Sequence, residues 1–301
     1  PHTVAYQLYV KEDMPSLAAL AGSAGYDTTA FHPYKSSGWN RPIAYQDLGF
    51  DHQLYEEDVE DPYLIRHYIS DRSDYETVME TTRSANAAGQ KCFVFNVTMQ
   101  NHSGYSQGWN NLERTIDLPD QLKNADSSAI QYLALARASD DALKQLIEYY
   151  SQIEEPTMVV LFGDHQPPLK NAFYEELYGK ALSERTTEEV MKQYITPFFI
   201  WTNYEIEEQQ DVAVSPNYLG VLTARLAGLP LTGFMEFLDG LYQQLPAITP
   251  VGILTADGQY LKRDELNEEQ QALLEQDSIL NYCGMVDLFD EARDMFCAAD
   301  G

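Results

Sequence analysis

The sequence predicts an α/β protein built on a mostly parallel sheet with helices on both faces. Three observations carry that prediction. Short apolar runs at residues 27–31, 91–98, 158–162 and 197–201 alternate with stretches of helical spacing, the order that builds strand–helix–strand crossovers. The 91–98 run is almost continuously apolar through Phe93, Val94, Phe95 and Val97, as strands covered on both faces are. Three of the strand exits carry a histidine, at His32, His102 and His165, in a chain with only six.

The elements follow in order. Residues 1–10 read as an irregular or extended lead-in in which Val4, Tyr6, Leu8 and Val10 alternate with other residues. Residues 14–21 suggest a short helix ending near Gly22 or Gly25, and 27–31 a strand with His32 at its exit. The stretch 33–41 is rich in turn formers and ends in Trp39-Asn40-Arg41, after which a short helix runs to Leu48. Residues 71–88 have helical spacing and stop at Gly89, a natural C-cap. The 91–98 strand runs directly into Met99-Gln100-Asn101-His102. A long helix is predicted over 127–151, with Ile130, Leu133, Leu143, Leu146, Ile147 and Tyr150 on one face. The Met158 strand then stops at Gly163 and presents Asp164 and His165. A further short strand covers 197–201, and a helix covers 216–226 with Gly228 behind it. From Pro246 the character changes: Ile248, Pro250, Gly252, Ile253 and Leu254, the Asp257-Gly258 turn and Tyr260 to Lys262 suggest a hairpin, followed by an acidic amphipathic helix over 267–281. The expected organisation is a main α/β domain over 1–245 and a small edge subdomain over 246–301 packed on it, without internal repeats or a low-complexity linker.

A chain of 301 residues can bury a large core. Its 19 Lys and Arg against 47 Asp and Glu give a net charge of -28, which excludes a broad basic surface for nucleic acid. An anionic substrate would have to be gripped locally, by a metal ion and one or two Arg, His or Lys residues inside a cleft. Of the three cysteines, Cys92 lies in an apolar run and is expected as a buried thiol, while Cys283 and Cys297 are candidates to pair, a point sequence leaves open. No apolar run of about 18 residues and no signal peptide is present, so the chain is expected to be soluble.

Adjacent strand residues point to opposite faces, so Asp164 and His165 can reach one target only where the backbone turns, and Gly163 permits a turn. That puts the pair on a loop at a strand's carboxyl end, the edge at which open α/β sheets bind ligands. An Asp oxygen and a His nitrogen are a reasonable half-site for Zn, Mn or a similar divalent ion. Taken alone, Gly-Asp-His is more often a turn with a capping Asp. Trp39 and Arg41 join an aromatic platform to a guanidinium that can hold a phosphate bidentately, although a lone Arg usually pairs with an acid. His102 can act as a neutral donor to a bound oxyanion or as a proton donor to a leaving group.

As an ordered set, Phe31-His32, Trp39-Asn40-Arg41, Asn101-His102 and Leu161-Phe162-Gly163-Asp164-His165 resemble the extracellular catalytic domain of the lipoteichoic acid synthase and phosphoglycerol transferase family, within the alkaline phosphatase and sulfatase superfamily. The resemblance runs from about Leu17 to Leu226. It implies an alkaline phosphatase-like fold and one divalent ion, Mn or Mg, held by a Glu, a nucleophilic Thr and the Asp and His that match Asp164 and His165. It implies that the Thr attacks the phosphorus of a phosphatidylglycerol-type lipid head group, that diacylglycerol leaves, and that glycerophosphate passes to a glycopolymer or glycolipid hydroxyl. His32, Trp39, Arg41 and His102 match the residues around phosphate and glycerol, with His102 as the catalytic one. In the family both the Glu and the Thr precede the residue matching His32. Only 31 residues precede it here, and Thr3 and the Thr28-Thr29 pair lack the expected surroundings. The resemblance therefore implies a chain that begins after the nucleophile, without the first strand and helix or the membrane anchor. Such a chain would come from a protein of the outer face of the bacterial cell membrane and would be inactive alone. Gln166-Pro167-Pro168 also departs from the small or polar residues usual after the Asp-His pair. The alternatives are a sulfatase, whose Cys-x-Pro-x-Arg motif would fall in the same missing part, a phosphoethanolamine transferase, and a non-catalytic binding module for anionic glycopolymer or lipid head groups.

Overall fold

A computed structural model describes residues 8–11, 14–287 and 291–297, so Thr3, Val4 and Tyr6 lie outside the described residues. Ser16 accepts a hydrogen bond from the Ala19 N–H and opens α1 (Leu17–Ser23). The chain then enters β1 (Tyr26–Phe31). This strand pairs in parallel with β2 (His52–Leu54) on one edge and with β5 (Lys91–Asn96) on the other. Between them come α2 (Arg41–Asp47), a small antiparallel ribbon of β3 (Leu64–Ile65) and β4 (Tyr68–Ile69), and α3 (Asp71–Ala87). Ser70 caps α3 by accepting from the Ser73 N–H, and Gly89, with φ at 70°, lets the chain leave it in the left-handed conformation.

Helices lie on both faces, as predicted. Phe95 packs with Ala30, Tyr45 and Tyr55 on the α2 side, whereas the next residue, Asn96, hydrogen-bonds Asp74 of α3. Successive strand side chains point to opposite faces, so α2 and α3 cover opposite sides. Thr28 and Thr29 are buried within β1, and the Thr28 hydroxyl is 2.8 Å from Asp51 Oδ2, so neither is presented as a nucleophile.

After the short α4 (Asp120–Ala125), α5 (Ser128–Tyr150) lies along α3. Tyr75, Ala142, Leu146 and Tyr150 form a cluster with Val159 of β6 (Met158–Phe162) and Trp201 of β7 (Phe198–Thr202). The parallel pairing is that of β1 with β2 and β5. Strands β6 and β7 are antiparallel, with Val160 opposite Ile200, and form a separate two-stranded sheet. The cause is the connection through α6 (Asn171–Tyr178) and α7 (Thr187–Lys192). It returns to the end of β6 that it left, where the Gly163 N–H donates to Pro197 O at 3.1 Å, so β7 must run back down.

The C-terminal third packs around α8 (Pro216–Leu226) and α9 (Gly233–Gln244), the second of which sequence spacing did not single out. The expected hairpin is a three-stranded antiparallel sheet of β8 (Ala247–Ile248), β9 (Ile253–Leu254) and β10 (Tyr260–Leu261), followed by α10 (Glu268–Tyr282) and the short α11 (Arg293–Phe296). Ile253, Leu266 and Leu274 of this tail share one core with Tyr218, Val221, Leu241 and Leu245. Burying each large apolar side chain there contributes roughly 1.5–3 kcal/mol, and among the described residues the tail has no separate core. Cys92 is half-buried and all three thiols are free, so the candidate pairing of Cys283 with Cys297 is not formed. Among the described residues no helix is long and apolar enough to cross a membrane.

Candidate phosphate and metal site

The His32 N–H extends the β1 ladder to Leu54 O at 3.0 Å. Its Nδ1 lies 2.6 Å from Val97 O. A carbonyl can only accept, so Nδ1 carries the proton and Nε2 is a bare lone pair, buried without a partner. Burial first, then the charges of Arg41 and His102 against the helping Val97 bond, push the imidazole pKa down to about 4. A neutral His32 cannot pair with an anion. It can accept from a hydroxyl or donate its lone pair to a metal.

The loop to α2 places Trp39 and Asn40 in the left-handed region, with φ of 54° and 59°, an arrangement that costs about 1–2 kcal/mol per non-glycine residue. It delivers Arg41 to the first turn of α2 with its guanidinium carbon 4.5 Å from the centre of the Trp39 ring. Arg41 Nη1 is buried without a hydrogen-bond partner, and among the described residues Arg41 makes no ion pair. Tyr34 packs between, its ring centre 5.7 Å from Trp39 and 6.1 Å from His32.

His102 arrives from β5. Its loop is moulded around Arg66, which is 4% exposed and donates to the carbonyls of Gln100 and His102 at 2.7 Å each and of Gly104 at 3.3 Å. The Tyr68 hydroxyl lies 3.3 Å from His102 Nδ1. If the tyrosine donates, the ring's free Nε2 bears a hydrogen. The His67 ring is 4.0 Å from Tyr68, and its pKa is lowered by burial and then by Arg66 and His102. Five basic side chains thus converge in a protein of net charge -28. Arg66, His67, Tyr34 and Tyr68 escaped sequence reading, because a ribbon of two-residue strands has no periodicity to detect. The adjacent Arg66-His67 pair was the available signal.

Asp164 and His165 stand just past β6. Gly163 is needed there for close approach, since a Cβ would lie 2.8 Å from Thr196 Cβ. Asp164 Oδ1 accepts from the His165 N–H at 2.9 Å, and His165 Nδ1 sits 2.9 Å from Gln166 O, leaving Nε2 a lone pair. That Nε2 is 3.5 Å from Asp164 Oδ2, with both side chains exposed. Two ligand atoms bonded to one divalent ion at about 2.1 Å stand about 3–3.5 Å apart, so the pair fits as part of a metal site. Among the described residues no group of three or more His, Cys, Asp or Glu completes it. The charge of Asp164 acts on Tyr105, whose pKa rises to about 12 mainly through burial, and whose hydroxyl donates to Asn101 O at 2.7 Å. The six predicted residues fall into two groups, His32, Trp39, Arg41 and His102 in one and Asp164 with His165 in the other.

The parallel α/β core with helices on both faces is that of an alkaline phosphatase-like domain. The chain belongs to the sulfatase family, whose pattern it matches over residues 4–229. It is 27% identical over 260 residues to a putative cyclic beta-1,2-glucan modification protein of Rhizobium meliloti, covering 85% of this chain and 40% of that protein's length. Among solved structures it resembles the phosphoglycerol transferase GacH of Streptococcus pyogenes in complex with sn-glycerol-1-phosphate, with a TM-score of 0.65 and 19% identity, over 91% of this chain and 66% of that one. It resembles the lipoteichoic acid synthase LtaP of Listeria monocytogenes equally, with a TM-score of 0.65 and 19% identity, over 95% of this chain and 78% of that one.

Proposed function

We propose that this chain is the phosphate-handling part of a metal-dependent transferase. Its reaction would move glycerophosphate from a phosphatidylglycerol-type lipid to a hydroxyl of a cell-envelope glycopolymer or glycolipid, at the outer face of a bacterial membrane. One observation carries the reading: Arg41, stacked on Trp39 beside His32 and His102, has no carboxylate partner among the described residues. A partly desolvated guanidinium without a counter-ion is poised for an external anion. Resemblance in fold to a phosphoglycerol transferase bound to sn-glycerol-1-phosphate supports the choice of anion.

In this reading Arg41 grips two non-bridging phosphate oxygens and His102 Nε2–H bonds the oxygen on which charge grows. The His32 lone pair accepts from a glycerol hydroxyl, and the Trp39 and Tyr34 rings cover the carbon skeleton. Asp164 and His165 would hold an Mn or Mg ion, which when bound would lower the pKa of the attacking hydroxyl and neutralise developing charge. This reading assigns neither the nucleophilic Thr nor a further metal ligand to any described residue. Calorimetric titration with sn-glycerol 1-phosphate tests this. Saturable binding that Arg41→Ala weakens by about 10–100-fold is expected, and a preference for sulfate esters would move the assignment to a sulfatase.

A second reading rests on the exposed two-ligand pair Asp164-His165: residues 1–301 alone act as a binding module for anionic head groups. Glycerol phosphate binding that survives both EDTA and Asp164→Ala favours it.

A further inference from the structure

Three separate segments bring aromatic side chains into one continuous row. Its near end is Trp39, on which the Arg41 guanidinium is stacked. Tyr34 follows, its ring centre 5.7 Å from that of Trp39 and 6.3 Å from that of Tyr68. The Tyr68 ring lies 4.0 Å from His67, and His67 lies 5.1 Å from Trp109. The loop before α2 supplies the first two rings, the β3–β4 ribbon the next two and the long loop after β5 the last.

Hydrogen bonds fix the far end of the row. In the turn between β3 and β4, Arg66 is left-handed, with φ at 60°. Its side chain goes inward to three backbone carbonyls, while the next residue, His67, is exposed. The Asn111 side-chain amide donates to Leu64 O at 3.1 Å and to Arg66 O at 3.0 Å. It ties the loop bearing Trp109 to the turn bearing His67.

A row of rings can also be a minor core that glues loops together. Here the loop after β5 is already held to the ribbon by other residues, since Tyr105 and Leu112 pack with Ile65 and Leu135. None of the five rings is buried, and Trp39 is 37% exposed. Among the described residues none of them belongs to an apolar cluster of the fold.

The chemistry of the row selects its occupant. Aromatic faces carry partial negative charge and attract the polarised C–H groups that line the faces of a pyranose. Every ring in the row also bears a polar atom, and the Trp109 Nε1–H has no acceptor among the described residues. Such a surface suits a molecule rich in hydroxyls better than an acyl chain. The cation beside Tyr68, Arg66, is enclosed by carbonyls, and His67 is neutral at pH 7 because burial, then Arg66 and His102, lower its pKa. A single-stranded nucleic acid would need cations along its backbone as well as rings, and the net charge of -28 repels it.

We propose that Tyr68, His67 and Trp109 seat an uncharged glycan, whose sugar rings continue outward from the platform that Trp39 and Tyr34 form beside Arg41. The seat opens at His102, whose ring centre is 5.8 Å from that of Tyr68. That this glycan is the acceptor rests on the transfer reading above; that the row binds sugar does not.

The test uses residues 1–301 and neutral hexasaccharides of glucose and N-acetylglucosamine, followed through the tryptophan indole N–H signals. The chain has three tryptophans, and Trp201, in β7 and packed beside Val159, is the internal control. At least one hexasaccharide should bind saturably, shift the Trp109 signal and leave that of Trp201 in place. Trp109→Ala and His67→Ala should each weaken this binding about tenfold, the worth of one stacked ring. Trp109→Ala should leave the sn-glycerol 1-phosphate isotherm unchanged. The absence of saturable binding by every hexasaccharide overturns the proposal, and so does binding that survives both substitutions at full strength. A Trp109 shift produced by a proline-rich peptide and by no sugar also overturns it, because such peptides dock on aromatic grooves too. Failure of the phosphate reading looks different: the parent then gives no glycerol phosphate isotherm while the hexasaccharide still binds. If Trp109→Ala does not fold, the Trp109 shift in the parent and His67→Ala decide.

Discussion

The Arg41 guanidinium stands 4.5 Å over the Trp39 ring and, among the described residues, has no acid for a partner. The ring holds the cation in place while leaving its hydrogen-bonding edge free. Arg41→Ala should weaken sn-glycerol 1-phosphate binding by about 10–100-fold, the worth of one charge-assisted bidentate contact at roughly 1.5–3 kcal/mol. Because the side chain makes no internal ion pair, the melting temperature should barely move. Arg41→Lys should restore only part of the affinity, since an ammonium offers no planar fork. Calorimetry and thermal denaturation on the three proteins check both statements.

Tyr68 is expected to set the tautomer of His102 by donating to Nδ1 across 3.3 Å. Tyr68→Phe keeps the ring packing and deletes the donor, so the neutral imidazole should redistribute its proton between the two nitrogens. Long-range proton–nitrogen correlation spectra would register that change directly. Head-group binding should fall by about 1 kcal/mol, with little loss of stability. An unchanged tautomer would show that the Tyr68 contact does not direct the ring.

The strand exits were legible because they rest on local signals. A run such as Met158 to Phe162 needs no partner to be read as a strand, and a His or Asp after it falls at a rim by geometry alone. What escaped reading was set by distant contacts. No residue near β6 announces that β7 will return antiparallel, a matter decided by Thr196 and Pro197 closing on Gly163. Arg66 looks like a surface residue in sequence, yet three backbone carbonyls enclose it. Which His32 nitrogen carries the proton likewise depends on Val97, 65 residues away.

Metal affinity follows from the two-ligand pair. Asp164 and His165 offer one carboxylate oxygen and one imidazole nitrogen, both largely exposed, so Mn should bind residues 1–301 weakly and reversibly. Paramagnetic broadening should be centred on His165 and vanish in Asp164→Ala. Calorimetry revealing a tight stoichiometric site would mean that further ligands lie within residues 1–301.

Stability should depend on pH through two buried groups with opposite signs. Burial raises the Asp71 carboxyl from 3.8 to about 6, against the bonds from Ser139 and Gln100. A folded pKa above the unfolded one means that its contribution is complete below about pH 4 and lost as the pH rises through 6. His32 is the reverse: lowered from 6.5 to about 4, it contributes fully above pH 6.5 and loses that contribution as the pH falls toward 4. Each shift corresponds to roughly 3 kcal/mol. Asp71→Asn isolates the first, because every other acid is common to the two proteins and cancels in the difference, apart from Asp74, whose own pKa Asp71 raises. The variant should be more stable than the parent at pH 7.5 and lose that advantage near pH 4. A difference that stays constant between those values, measured by thermal denaturation, would mean that Asp71 does not titrate in this window.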